Sequence, residues 1–412
     1  MSRFSSIAII VVFGFFATGC GKEQPPPAPE VPPVPAAPVP NEEPKAPVEN
    51  VAEREAEKSV VLAIRKAGGA AIINVAHIGD DRGHLTVASF TGIEAKPFDA
   101  ALLDLKQLTG AKYLSRLEIS SAKNMDTALK TISALPQLKN VVLNYADVGE
   151  AGLKAVAALP NLVELELIQA KNITAAALEA LAKTPKLERL ILSGSNVTDD
   201  TLKALAPAKL LTELHLDQTA VTLKGLKPIL DAWPKLRILN LHATPIGDEG
   251  LIALSAAKQL QELNLRNTKF TDAGLKSLAN LSAMQTLNLG ENKSISGIGC
   301  QALAGMTQLE TLHLDESGLT DAGMKGVTLI RNAKKMYLQS TSIGDEGMKL
   351  LAVPRGLEEL TIENTQVSNA GVIELCEKVR SLKRISVRQS KVQNSVVPAA
   401  KKIAPNVAID FE

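Results

Sequence analysis

Residues 260–278 read LQELNLRNTKFTDAGLKSL. The stretch opens L-x-x-L-x-L with Leu260, Leu263 and Leu265. It runs through Thr268 and Phe270 to Thr271-Asp272-Ala273-Gly274-Leu275 and closes on Leu278. Alternation in the first half predicts a strand with one buried face, and Leu275 and Leu278, three apart, predict a short helix. Thr271 stands at the helix N-cap, where a hydroxyl accepts an unpaired backbone N–H. Asp272 falls in the first turn, where negative charge suits the helix dipole. One unit is therefore strand, turn and short helix.

The unit recurs about every 24–25 residues, a period typical of solenoids. Its opening apolar residue can be followed through Leu114, Leu138, Leu162, Leu187, Leu211, Leu236, Leu260, Met284, Leu309, Ala333, Leu357 and Leu382. A single unit cannot bury enough surface to fold alone, so stacked neighbours must supply the rest. The repeat overrides the two or three domains that 412 residues would otherwise suggest, because a solenoid is one continuous core.

In this register the chain resembles the leucine-rich repeat family, in the long-repeat style of ribonuclease inhibitor. The T-D-x-G-L signature resembles that of bacterial leucine-rich repeat lipoproteins, such as those abundant in planctomycetes. The resemblance covers residues 85–412. It implies an α/β leucine-rich repeat solenoid, curved, with a parallel inner sheet, outer helices and an N-terminal cap. It says little about function, because sites are grafted on folds.

The resemblance and the composition divide the chain into four parts. Residues 1–20 are expected to be a lipoprotein signal peptide. Arg3 precedes the apolar run Ile7 to Phe16, which is shorter than a membrane span, and Ala17-Thr18-Gly19-Cys20 follows. These residues resemble a bacterial lipobox, which implies that Cys20 becomes the lipidated N-terminus. Ala17 departs from the usual Leu, and an ordinary secretory signal with an incidental cysteine is the other reading. Gly21, not Asp, follows the cysteine, which the resemblance associates with an outer-membrane address facing periplasm or exterior. Residues 21–50 form a linker, in which residues 24–48 carry eleven of the 22 prolines. Such a segment favours extended polyproline II, reaching roughly 75 Å at about 3.1 Å per residue.

Residues 51–110 are read as the cap with a degenerate first repeat. They comprise a helix over 51–70 ended by Gly68-Gly69, short strands at Ala71 to Val75 and Leu85 to Phe90, and a worn helix start at Phe98-Asp99-Ala100-Ala101-Leu102 backed by Leu105. His77, Asp80, Asp81 and His84 cluster there, and an ordinary polar loop is favoured over a set of metal ligands. Residues 111–412 carry the repeats, and Val407, Ile409 and Phe411 alternate in a final edge strand. Asp410 and Glu412 would discourage edge-to-edge pairing.

Within the repeats, the ninth position is Ser195, Thr219, Thr244, Thr268, Ser317, Thr341, Thr365 and Ser390. A hydroxyl there can bond backbone groups at the strand's exit in place of an asparagine ladder. Ala122, Ala146 and Ala170 stand there in the early units. Glycine recurs at the helix start as Gly152, Gly225, Gly250, Gly274, Gly299, Gly323, Gly347 and Gly371. Glycine costs about 1 kcal/mol in a helix, so its recurrence points to close packing against neighbouring backbone. Cys300, Cys376 and Trp233 occupy core slots, and the two cysteines, three units apart, are not expected to pair.

Charge and composition narrow the function. Net charge is +1, from 45 basic and 44 acidic side chains. A nucleic-acid binder would show a basic excess. Aromatics are 3% of residues, little stock for base stacking. No nucleophile elbow, Walker loop, HExxH or CxxC is present. The repeat does supply an ordered face. Strand positions three, five and seven alternate with the buried leucines and point to the concave side, and parallel strands about 4.8 Å apart stack them into columns.

Column five reads Glu118, Val142, Glu166, Ile191, His215, Asn240, Asn264, Asn288, His313, Tyr337, Thr361 and Ser386. Column seven includes Ser193, Asp217, His242, Arg266, Gly290, Asp315, Gln339, Glu363 and Arg388. One reading is a solvated sheet face. The sharper one is a polar strip for an extended ligand, with candidate contacts His215, Asp217, Asn240, His242, Asn264, Arg266, Asn288, His313, Asp315 and Tyr337. Asp217 beside His242 is expected to favour the imidazolium form. Zinc takes nitrogen and oxygen ligands at about 2.0–2.2 Å, but side chains on a flat sheet diverge, so no metal or other cofactor is expected.

The sequence thus points to a non-enzymatic binding module, lipid-tethered in a bacterial envelope. It would recognise a protein, peptide or glycan and not nucleic acid. A self-associating structural envelope protein and an enzyme using the cap are the rivals.

Overall fold

The computed structural model describes residues 87–91, 98–100, 104–351 and 356–411. The chain divides into residues 1–49 and 50–412, and all described residues belong to the second unit. The signal segment, the proline-rich linker, the helix over 51–70, the strand at Ala71 to Val75 and the His77–His84 cluster lie outside the described residues.

The strands are β1 (Val87–Thr91), β2 (Phe98–Asp99), β3 (Arg116–Ser120), β4 (Ala122–Lys123), β5 (Asn140–Val142), β6 (Glu164–Glu166), β7 (Arg189–Ile191) and β8 (Glu213–His215). They continue as β9 (Ile238–Asn240), β10 (Glu262–Asn264), β11 (Thr286–Asn288), β12 (Thr311–His313), β13 (Lys335–Tyr337), β14 (Glu359–Thr361), β15 (Arg384–Ser386) and β16 (Ala408–Asp410). Fourteen of them form one sheet in chain order, from β1 through β3 and β5 to β16, while β2 pairs with β4 apart. Every pairing is parallel, for example β10 with β11 and β15 with β16. Each strand leads out through a helical segment and back beside itself, so the architecture is the expected α/β solenoid.

The core is the leucine scaffold of the repeat. In the unit quoted above, Leu260, Leu263, Leu265, Phe270, Leu275, Leu278 and Leu281 are all buried. Trp233 fills a core slot, with Nε1 donating to the Leu205 carbonyl at 3.2 Å. Cys300 and Cys376 are buried free thiols. Burial, with Asp272 nearby, pushes the Cys300 thiol up to about 12.

The helical layer is not uniform, and Ile298–Gly305 is a 3-10 helix. Glu150–Ala157, Ala175–Ala182 and Asn369–Lys378 are α-helices, but Gly274–Leu278 in the quoted unit is a 3-10 helix. A 3-10 helix rises about 2.0 Å per residue against 1.5 Å for an α-helix, so it spans the same layer with fewer residues. At the first repeat, Phe98–Asp99 is extended and pairs with Ala122–Lys123, and a 3-10 turn begins at Ala100. A further 3-10 helix lies at Leu105–Leu108, where the Asp104 side chain accepts from the Lys106 N–H at 3.0 Å.

The aspartate of the T-D-x-G-L signature does more than meet a dipole. Thr271 Oγ1 accepts from the Ala273 N–H at 3.2 Å, but the helix starts at Gly274 with Ala273 as its N-cap, two residues later than expected. Asp272 instead crosses to the next unit, accepting from Ser296 N at 2.9 Å, Ser296 Oγ at 2.7 Å and Gly299 N at 2.8 Å. Asp248 receives Thr271 N and Oγ1 in the same way, and Asp345 receives Ser368 N and Oγ. Each carboxylate therefore caps its successor's helix. The recurrent glycine makes room for it: a Cβ at Gly152 would lie 2.6 Å from Asp126 Oδ1. The close neighbour is thus a side chain at most of these glycines. Backbone takes that place at Gly323, which meets the Ser296 carbonyl where Gly297 stands in the aspartate slot.

The ninth-position hydroxyls bond backbone, but within their own unit. Thr219 Oγ1 donates to the Leu216 carbonyl at 2.6 Å and Thr268 Oγ1 to Leu265 at 2.7 Å. The asparagine ladder is therefore not reproduced between units, because a hydroxyl has one donor and a short reach. Asn292 is the exception. Its Nδ2 donates to Leu265, Leu289 and Gly290 carbonyls, and its Oδ1 accepts from Thr268 N and Lys269 N, joining two units.

Candidate functional site

The register places the fifth-position residues side by side: His215 with Asn240, Asn240 with Asn264, Asn264 with Asn288, Asn288 with His313, and His313 with Tyr337. These residues and their seventh-position neighbours lie on one face of the sheet, partly exposed except for Gly290 and Asp315, which are buried.

The asparagines are oriented by the backbone. Asn240 Oδ1 accepts from His242 N at 3.1 Å, Asn264 Oδ1 from Arg266 N at 3.0 Å, and Asn288 Oδ1 from Gly290 N at 3.0 Å. With the oxygen turned inward, the Nδ2 amide is left to face outward. Asn240 spends its Nδ2 on Asp217 Oδ1 at 2.9 Å. Among the described residues, those of Asn264 and Asn288 have no protein acceptor.

Asp217 and His242 do not form the expected pair. Ser193 Oγ and Asn240 Nδ2 occupy Asp217 Oδ1 at 2.7 and 2.9 Å. His242 Nδ1 lies 3.1 Å from the Arg266 carbonyl instead. The parallel ladder brings that carbonyl to the ring, and two neutral donors already satisfy the carboxylate. His215 Nε2 is 2.7 Å from Glu213 Oε1. Burial works to raise the Glu213 carboxyl, but His215 and Arg189 bring it below its ordinary range. Glu262, two strands away from β8, sits above its ordinary range through burial and repulsion from Glu213.

Arg266 reaches across two repeats. Its guanidinium pairs with Asp315 through Nη1, and its Nη2 lies 2.7 Å from both Glu291 and Glu316. Gly290 stands in column seven between Arg266 and Asp315, and a Cβ there would lie 2.6 Å from Arg266 Nη1. The missing side chain is what lets the arginine pass. Burial works to lower the Arg266 pKa, but Asp315 and Glu291 hold it above its usual value. Asp315 is 3% exposed. Burial works to raise its carboxyl, yet His313 and Arg266 hold it below the ordinary range. Beside them the His313 and Tyr337 rings stack, centroids 4.2 Å apart and 5° from parallel.

Glu291 and Glu316 escaped the sequence reading for a definite reason. Strict alternation turns position eight inward, like positions four and six. In every unit from Ser121 to Gln389 the eighth residue is instead left-handed, φ between 50° and 64°. Its N–H donates to the next unit, as Glu291 N does to the Asp315 carbonyl at 2.8 Å. That twist swings the side chain back to the rim. The available signal was a run of polar residues, Gln218, Asn267, Glu291 and Glu316, at a position that alternation marks as core.

Residues 234–255 and 258–319 each match a family model described as leucine rich repeat. No curated protein matches the chain. Among solved structures, an internalin (inlF) of Listeria monocytogenes is 20% identical, covering 79% of this chain and 93% of its own, with a TM-score of 0.53. A chain of the mouse RP105/MD-1 complex is 16% identical, with a TM-score of 0.57; the match covers 78% of this chain and 59% of the mouse chain. At these identities the likeness is one of fold, and the fold is a leucine-rich repeat solenoid.

Proposed function

We propose that this leucine-rich repeat solenoid is a non-enzymatic binding module that takes a protein, peptide or glycan on its sheet face. The observation that carries the reading is the orientation of Asn264 and Asn288. Each is fixed through its oxygen and presents an amide donor outward from neighbouring strands. Fixed donors on a rigid sheet lose little entropy on binding. A chain of the mouse RP105/MD-1 complex shares the fold, which supports a macromolecular ligand.

The module is tethered by lipid at Cys20 in a bacterial envelope, with the proline-rich segment as spacer, in the manner of the lipoproteins its repeat signature resembles. The outer membrane is the proposed address.

The test of the face is capture of ligand from envelope extract by the full chain, with and without Asn240→Ala, Asn264→Ala and Asn288→Ala combined. Weakened capture is expected. Unchanged capture by a triple variant that still melts cooperatively would move the binding surface off the sheet. The three oxygens accept backbone hydrogen bonds, so the variant should lose about 1 kcal/mol per site and must be assayed well below its melting temperature. Anchoring is tested separately: a Cys20→Ser protein that still incorporates radioactive palmitate would overturn the lipid tether.

A further inference from the structure

The sheet face is not electrically balanced, although the chain nearly is. From Glu213 to Glu316 the face and its rim carry six carboxylates: Glu213, Asp217, Glu262, Glu291, Asp315 and Glu316. Arg189 meets Glu213 at 3.0 Å, and Arg266 is the one Lys or Arg among the outward neighbours of the other five. Three of the six share that single guanidinium, and Glu262 is held above its ordinary range by burial and then by Glu213. A second, independent feature lies in the same place. Asp315 has a side chain 4% exposed, and its Oδ1 has no hydrogen-bond donor; His313 Nδ1 is 3.8 Å away. Gln339 Oε1, on the neighbouring unit of column seven, is likewise buried and without a donor. Buried acceptors left without donors cost free energy, and the Asp315 oxygen looks toward Gly290, 3.0 Å from the place of a Cβ there.

We propose that the carboxylate-rich block from Glu262 to Glu316 docks a basic segment of a protein partner, one arginine head seating beside Glu316 on Asp315 Oδ1. This rests on the sheet-face reading above and names its partner class. Glu316 and Glu291 are the accessible rim, their side chains 43% and 31% exposed, and they draw the cation in. The head supplies the donor that Asp315 Oδ1 lacks. Its methylene stem lies against the edges of the His313–Tyr337 pair, two residues back along the same strands. A guanidinium fits better than an ammonium, because its planar fork carries five donors in fixed directions. A phosphate-rich or carboxylate-rich ligand would meet repulsion at Glu291 and Glu316.

The test titrates the full chain with three blocked, fluorescein-labelled peptides of one length. One carries two arginines, the second has citrulline in their place, and the third has glutamate. Citrulline keeps the shape and removes the charge. The arginine peptide is expected to bind about tenfold more tightly than the citrulline peptide. Its affinity should fall about fivefold or more between about 50 mM and about 500 mM salt. Glu291→Gln with Glu316→Gln should weaken it about fivefold, while Glu249→Gln with Glu346→Gln on the helical side should leave it unchanged. Equal binding of the arginine and citrulline peptides, no binding of either, or an equal loss in the helical-side variant overturns the proposal. If that happens while the asparagine triple variant still loses capture, the face binds something else; if capture is also unchanged, the face reading fails as well.

Discussion

Asp321 of one repeat and Gly347 of the next are fitted to each other. Asp321 Oδ1 accepts the Gly347 N–H at 3.0 Å and the Gly344 N–H at 2.6 Å, while a Cβ at Gly347 would lie 2.6 Å from that same oxygen. The carboxylate caps a helix that is not its own, and the glycine is the space it occupies. The relation recurs along the solenoid, as between Asp345 and Gly371. It makes the stacking of repeats depend on paired residues about 26 positions apart.

A double-mutant cycle reads this coupling. Gly347→Ala should cost about 1–3 kcal/mol by overpacking, and Asp321→Ala about 1–2 kcal/mol by loss of the cap. The Cβ at Gly347 meets only side-chain atoms, Asp321 Oδ1 first and Met324 Cγ at 3.2 Å. The double variant should therefore lose clearly less than the sum in urea unfolding. Strict additivity would show that glycine answers some other demand.

Gly290→Ala tests the passage of Arg266. The new methyl would displace the guanidinium from Asp315, costing about 1–3 kcal/mol. In an Arg266→Ala background the same change should cost much less, since Asp315 Oδ1, at 3.0 Å, is then the nearest obstacle. Equal costs in the two backgrounds, read from thermal melts, would sink the idea that glycine is there for the arginine.

Asp315→Asn should destabilise in a pH-dependent way. The folded-state carboxyl is held below its ordinary range, so its contribution is present above the unfolded value of about 3.9 and is lost as pH falls through the folded value. The variant should therefore be less stable by about 2 kcal/mol at pH 7, with the gap closing in strong acid. A gap independent of pH would mean that packing, not charge, holds Asp315.

Glu262→Gln should behave oppositely. Glu262 is raised by burial and by Glu213, so the folded state holds its proton more tightly and loses stability as pH rises from about 4.3 through the folded value. The variant should gain a small amount at pH 7, within about 0.5 kcal/mol, and nothing at pH 3. A loss at pH 7 would show an unrecognised cation partner.

The solenoid, its register and its buried scaffold were legible in the amino-acid sequence. They follow from a period: L-x-x-L-x-L at Leu260, Leu263 and Leu265 has one face to bury, and stacking its copies in order is the way to bury it. The same reasoning placed Asn240, Asn264 and Asn288 in one column and Trp233 and Cys300 in the core. What tertiary structure decided is where polar atoms from different repeats meet. The partners of Asp272, Asp321 and Arg266 stand one or two units away, at distances that no local pattern encodes. Asp217 turns to Ser193 and Asn240 rather than His242, because choosing among neighbours within reach depends on rotamers and competing donors. The left-handed eighth residue likewise carries Glu291 and Glu316 to the rim against the alternation of the strand. Periodicity selects faces, since burial is additive along a chain; hydrogen bonds and ion pairs select partners, and those exist only once the repeats are stacked.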